Sequence, residues 1–286
     1  IIIGLLVGAG LVVLKIKSAL DREIYGTPRG EIGSKNPEDF GLNYENIIFT
    51  SDSNKEIKGW FVPNELSEKC IILAPGKGST KWKVLKYAPF LHEYGYNVLL
   101  FDARGRGESE GERWGFGYFE SRDIIHAVNF LEDQYEIDDF GLLGRSAGAT
   151  ASLIAATNEP KIDAVVSDSG FANIKMASMS YGNYKNSPIF KAFFPFYTIG
   201  ARLKLGVKVN RKTDLTQSIN DEDFAAFFIH GTEDEVILPE NSRVLHEKKT
   251  GMKEIWLPDG VGHVEAFDDH PDVYKKKVLE FFSKNV

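Results

Sequence analysis

The sequence predicts an α/β fold: an eight-stranded, mostly parallel sheet with flanking helices and a small helical cap. Three observations carry this. From about residue 45, short β-branched or aromatic runs alternate with longer amphipathic stretches, the pattern of strands joined by helical crossovers. The first two runs leave no room for a helix between them and so form an antiparallel hairpin at one sheet edge. The stretch between the sixth and seventh runs is far longer than a crossover needs and is rich in aromatics, as an inserted cap would be.

In order, the strand-like runs are Asn46 to Thr50, Lys58 to Pro63, Cys70 to Ala74, Asn97 to Phe101, Gly141 to Leu143, Ala164 to Ser167, Ala225 to Ile229 and Glu254 to Leu257. Helices are expected over Lys81 to Glu93, Tyr118 to Gln134, Ala147 to Thr157, Pro239 to Lys249 and Pro271 to Lys284, the last two with Pro in the first turn. These elements make one domain over residues 45–286, interrupted by a cap insertion at 171–223. No repeat or low-complexity tract breaks the chain.

With 43% hydrophobic and 26% charged residues, 286 residues can bury a sizeable core without disulfides or a structural metal. A net charge of -7 and the absence of a basic stripe with interleaved aromatics argue against nucleic acid as a partner. The single cysteine, Cys70, sits in an apolar run and reads as a small buried hydrophobe. Scattered His and Asp residues such as His270 and Asp272 read as helix-start decoration, so no metal or cofactor is expected.

The N-terminus is different. Ile1 to Leu14 lacks any charged or polar side chain and is followed by Lys15, Lys17, Asp21 and Arg22. Fourteen helical residues rise about 21 Å, short of the roughly 30 Å hydrocarbon core, so residues upstream would have to complete a span. Residues 1–22 are therefore expected to be a membrane anchor or uncleaved signal segment, no small-x-small cleavage site standing near Ser18 and Ala19. Residues 23–44 are expected to be a linker. The side of the membrane is left open.

The strongest chemical signal is Gly144-Arg145-Ser146-Ala147-Gly148, which follows a strand-like run and opens a helix-like one. That is the setting of a G-x-S-x-G nucleophile elbow, where a tight turn lifts the serine hydroxyl above the sheet and needs small residues two positions to either side. A serine hydroxyl must lose its proton to attack, so a neutral imidazole is required. Of the six histidines, His263 lies in a turn-rich loop just past the last strand, at the ligand-binding edge of a parallel sheet. His230 reads as a structural turn residue, His92 and His126 fall within helices, and His246 and His270 read as surface positions.

The imidazole needs a carboxylate to fix its tautomer, and Glu233, Asp234 and Glu235 follow the seventh strand; spacing alone does not choose among them. Two N–H donors for an oxyanion are expected from the backbones of Ala147 and of Lys77, the latter in the loop Pro75-Gly76-Lys77-Gly78-Ser79. This loop lacks the spacing of a phosphate-binding P-loop.

Together, Pro75 to Ser79, Phe101-Asp102-Ala103-Arg104-Gly105-Arg106-Gly107-Glu108-Ser109, Gly144 to Gly148, His230 to Asp234 and Gly262-His263 resemble the α/β-hydrolase superfamily in order and spacing. The resemblance is to its membrane-anchored, lipase-like or serine-aminopeptidase-like branch and covers roughly residues 45–286. It implies Ser146, Asp234 and His263 as a catalytic triad. One departure is Pro75-Gly76 where relatives usually carry His-Gly.

The implied activity is hydrolysis of a small acyl ester or thioester, with a peptidase or amidase, or a non-catalytic binding protein, as alternatives. The superfamily's sheet order puts Asp168 nearest to the charge of Arg145, with Asp102 second, and a structural ion pair is expected there. Phe190, Phe193, Phe194, Phe196 and Tyr197 are expected to line an acyl pocket in the cap over Ser146.

Overall fold

The computed structural model describes residues 14–52, 54–180, 188–220 and 223–286. Eight strands form one sheet: β1 (Glu45–Ser51), β2 (Lys55–Val62), β3 (Lys69–Ala74), β4 (Asn97–Phe101), β5 (Asp139–Arg145), β6 (Ile162–Asp168), β7 (Ala225–Ile229) and β8 (Lys253–Trp256). Their order across the sheet is β1-β2-β4-β3-β5-β6-β7-β8. β1 and β2 form the expected edge hairpin, β2 pairs antiparallel with β4, and every other pairing is parallel.

The central strands are covered on both faces, which is why β3 and β4 read as unbroken apolar runs. Side chains alternate between the layers, as a period of two requires. Ile72, Phe101, Leu142, Val165 and Phe228 pack with α4 (Tyr118–Tyr135) and α5 (Ala147–Ala156). Ile71, Leu73, Leu100, Leu143 and Phe227 pack with α3 (Ala88–Glu93) and α12 (Pro271–Asn285). Cys70 is fully buried, and burial pushes its thiol pKa up, so it behaves as a small hydrophobe.

The expected helix from Lys81 to Glu93 is divided. Helix α2 (Lys81–Val84) passes through a 3-10 turn, Leu85–Tyr87, into α3. Pro89, in the first turn of α3, has no N–H to continue an α-helical ladder and clashes with the preceding turn.

Between β6 and β7 lie α6 (Ile174–Ser180), α7 (Pro188–Leu205), α8 (Val209–Lys212) and α9 (Leu215–Ser218); α10 (Glu240–Lys248) follows β7 and α11 (Ala266–Asp269) follows β8. Residues 14–24 form a further helix, α1. Its Leu20 and Ile24 are buried in a third cluster with Trp114, Phe116, Ala147, Phe171, Ile174, Ala201 and Leu205. α1 and α7 run in the same direction, with Leu20 against Gly200 and Asp21 paired to Lys204. A Cβ on Gly200 would lie 2.6 Å from Leu20 Cδ1, so the helices approach closely there because residue 200 has no side chain.

The expected linker is therefore a fixed part of the fold. Arg29 Nε donates to Gly107 O at 3.1 Å, and Thr80 Oγ1 donates to Glu31 O at 2.6 Å. Residues 1–13 of the expected anchor lie outside the described residues. Among the described residues no helix is long and apolar enough to cross a membrane.

Truncating Ile24, which is fully buried, should leave a cavity that α1 and α7 cannot close. Ile24→Ala is expected to cost about 2–4 kcal/mol in denaturant unfolding, against less than about 0.5 for the exposed Ile32→Ala.

Candidate active site

β5 ends at Arg145 and α5 begins at Ala147, leaving Ser146 alone at the turn with φ 52° and ψ -119°. A side chain rarely adopts this backbone, and the turn survives because the neighbouring atoms enforce it. A Cβ on Gly144 would come within 2.5 Å of Ala149 Cα, and one on Gly148 within 2.3 Å of Ala74 O. Ser146 N donates to Asp168 O at 2.7 Å, tying the turn to β6.

The loops after β7 and β8 bring the other two residues in. His263 Nε2 lies 3.0 Å from Ser146 Oγ, and His263 Nδ1 lies 2.6 Å from Asp234 Oδ2. Asp234 Oδ1 accepts from the backbone N–H groups of Val236 and Ile237, both at 2.9 Å. Glu233 and Glu235, left open by spacing, have no such contacts with His263.

Sequence reasoning missed the part His230 plays. It is fully buried, and its Nε2 lies 2.7 Å from Ile237 O and 3.1 Å from Asp234 Oδ2. A carbonyl can only accept, so Nε2 carries the proton, and Nδ1 accepts from Ser242 Oγ at 2.7 Å. His230 Nε2–H is thus shared between the Ile237 carbonyl and Asp234 Oδ2, the same carboxylate oxygen that His263 Nδ1 meets. Burial on its own would raise the Asp234 pKa, but hydrogen bonds from His230 and His263 outweigh it and hold the carboxyl well below the ordinary range. The signal available in the sequence was the i, i+4 spacing of His230 and Asp234 across a tight turn.

The loop after β3 passes directly behind the serine: a Cβ on Gly76 would sit 3.4 Å from Ser146 Cβ. Lys77 follows it, and Ala147 stands at the first position of α5, where the backbone N–H has no intrahelical acceptor. The Lys77 side chain turns away to Glu23 of α1 at 2.5 Å and over the Trp114 ring at 4.1 Å. Burial lowers its pKa against the pull of Glu23. Its charge is therefore matched within the fold.

Arg145 departs from expectation: among the described residues it makes no ion pair. Nη2 donates to Val264 O at 3.0 Å, and the guanidinium lies 5.9 Å from the Tyr87 ring. Asp168 is occupied otherwise, by Tyr274 Oη at 3.1 Å and Ser169 Oγ at 3.1 Å. Adjacent strand residues point to opposite sides of the local chain, and the turn at Ser146 sends Arg145 toward the His263 loop. Asp102 instead meets Lys81, accepting from Nζ at 2.7 Å and from the backbone N at 2.8 Å.

The aromatics of α7 divide by exposure. Phe194 and Tyr197 stack at 6.2 Å and join the cluster that contains Ala147, with Tyr197 edge-on to Phe116. Phe193 and Phe196, 36% and 59% exposed, lie on the outer face and do not line the site. The pocket assignment is corrected for those two, whose rings face solvent while Phe194 and Tyr197 pack against the buried cluster. The Phe190 side chain lies outside the described residues. A cavity of about 540 Å³, lined by Thr232, Glu233, Asp234, Glu235 and Arg243 among others, opens beside the acid loop and includes neither Ser146 nor His263.

A family model described as serine aminopeptidase, S33, matches residues 66–226, more than half of the chain. The chain belongs to this hydrolase family. It is 28% identical to YfhR of Escherichia coli strain K12 over 83% of this chain and 80% of that protein. It is 25% identical to YqkD of Bacillus subtilis over 82% of this chain and 78% of the relative. Among solved structures, esterase Pf2001 of Pyrococcus furiosus superposes with a TM-score of 0.74 at 25% identity, covering 91% of this chain and 99% of that one. The fold is that of the α/β-hydrolase esterases, and the protein is a hydrolase of that family.

A depressed carboxyl pKa makes acid stability a readout of Asp234. Its contribution is complete above the ordinary value of 3.8 and is lost as pH falls through the lower folded value. The free energy of unfolding should therefore fall more steeply below pH 4 in the native chain than in Asp234→Asn, with parallel curves between pH 5 and 7 as the check.

Proposed function

We propose that this hydrolase cleaves carboxylic esters or thioesters through a covalent acyl-enzyme on Ser146. The observation that supports it is the continuous contact Ser146 Oγ, His263 Nε2, His263 Nδ1, Asp234 Oδ2, at 3.0 and 2.6 Å. In this reading His263 Nε2 takes the hydroxyl proton as Oγ attacks the acyl carbon, and Asp234 holds Nδ1–H and stabilises the imidazolium.

The backbone N–H groups of Ala147 and Lys77 receive the developing oxyanion. Collapse of the tetrahedral species expels the alcohol or thiol, which gains its proton from His263. Water, deprotonated by the same imidazole, then releases the acid and restores Ser146.

An ester with an apolar acyl group is preferred to an aminoacyl amide. Ala147, beside the nucleophile, belongs to a buried apolar cluster with Leu20, Ile24, Trp114, Phe116 and Ile174, and the nearby Lys77 charge is already matched by Glu23. The similarity to the Pyrococcus furiosus esterase points the same way.

Ser146→Ala should retain the melting temperature and lose about 10³-fold or more of p-nitrophenyl acyl ester turnover, together with labelling by a fluorophosphonate. Undiminished turnover would sink the assignment. Faster cleavage of aminoacyl amides than of any ester by the native chain would favour the peptidase instead.

A further inference from the structure

Charge is segregated along this chain. Between Asp168 and Asp214 there are eight Lys and Arg residues and no Asp or Glu, although the whole chain carries -7. The remainder is left with 26 basic against 41 acidic residues. Within the segment Lys175, Lys191, Arg202, Lys208, Arg211 and Lys212 are exposed, and none forms a salt bridge among the described residues.

The same segment carries an apolar stripe that nothing among the described residues covers. Phe193, Phe196, Ile199 and Leu203 of α7 are 36%, 59%, 55% and 81% exposed. At 100° per residue Phe196, Ile199 and Leu203 fall within one 60° outward arc of the helix, away from Phe194, Tyr197, Ala201 and Leu205, which pack inward, and Phe193 sits between the two sets. Lys191 and Arg202 border this arc on one side and Lys204 on the other. An apolar centre with cationic flanks is the arrangement of a helix lying in the headgroup region of a bilayer.

Beside it runs α1, whose exposed Lys15 and Lys17 follow the uncharged sequence Ile1 to Leu14. A protein partner would be matched by shape and a few paired charges. An apolar face flanked by Lys191, Arg202 and Lys208, with Asp21 at its α1 border held by Lys204, matches an anionic lipid surface.

We propose that the outer face of α7 docks on anionic bilayers, with Phe196, Ile199 and Leu203 entering the headgroup region and Arg202 and Lys208 meeting lipid phosphates. This holds whether or not Ser146 is the nucleophile, since it concerns the opposite face of the cap.

Cys70 is fully buried, so a cysteine placed at residue 203 can be labelled alone with an environment-sensitive fluorophore. With Leu203→Cys in the full chain, vesicles of phosphatidylcholine and phosphatidylglycerol should shift the emission to the blue, and phosphatidylcholine alone or high salt should abolish the shift. The same label at Leu66→Cys, 98% exposed between β2 and β3, should not respond. Arg202→Glu with Lys208→Glu should weaken the response about tenfold or more, with an unchanged melting temperature and ester turnover.

Because the fluorophore reads residue 203 itself, attachment through residues 1–14 alone would leave it dark, and that result overturns the proposal. So does an equal response at residue 66. A shift that grows with protein concentration without vesicles would overturn it too, by assigning the face to a second copy of the chain.

Discussion

The left-handed backbone at Ser146 is the constraint on which the rest of this site depends. Holding a non-glycine residue at φ 52°, ψ -119° costs about 1–3 kcal/mol, and that cost must be met by surroundings that permit nothing else. β5 meets it by being clamped along its length between β3 and β6, and α5 by burying every residue from Ala147 to Ala156. Gly144 and Gly148 then let strand, turn and helix close to distances no Cβ would survive. Once the turn is fixed, the loop bearing Gly76 can pass only behind the serine, and the histidine must come from the β8 side.

That approach is itself held in strained backbone. Ser169 and Val264 both have positive φ, at 57° and 55°, although neither is glycine. Val264 N donates to Ser169 Oγ at 3.2 Å, while Val264 O accepts from Arg145. Residues at the ends of β5 and β6 thus hold both the N–H and the carbonyl of Val264, the residue after His263. This accounts for Arg145 without a carboxylate partner. Burial opposes its charge, but the Tyr87 ring and the field of buried Asp168 favour it, and its pKa is raised on balance. A direct pair with Asp168 would draw the guanidinium off Val264 and leave the His263 loop without its second grip.

Much of this was legible in the sequence because local rules and the fold agree. All eight strand runs lie where alternation places them, and G-x-S-x-G, Asp234 and His263 converge as the resemblance implies. What escaped depends on contacts between distant segments. His230 reads as a turn residue because Ser242, which fixes its tautomer, meets it only when β7 and α10 pack together, although the i, i+4 spacing to Asp234 is local. Arg145 was given an ion pair because charge suggests a counter-charge, whereas backbone carbonyls supply the acceptors. The cap aromatics were treated as one group because composition has no direction. Helical phase sets Phe196 apart from Phe194, Tyr197, Ala201 and Leu205, as their spacing shows, whereas Phe193 differs in exposure rather than in phase.

The N-terminal helix shows which forces decide such a placement. Its ion pairs, Asp21 with Lys204 and Glu23 with Lys77, involve partly exposed side chains, and pairs of that kind contribute about 0–1 kcal/mol each. Leu20 and Ile24 are 1% and 0% exposed, and burying each is worth about 1.5–3 kcal/mol. The apolar contacts therefore dock α1, and the charges orient it. The cluster receiving Leu20 and Ile24 also contains Ala147, the residue after Ser146, so α1 and the elbow share one apolar core. A segment whose composition reads as anchor and linker is thus packed, from Leu20 to Ile24, into the apolar cluster that adjoins the elbow.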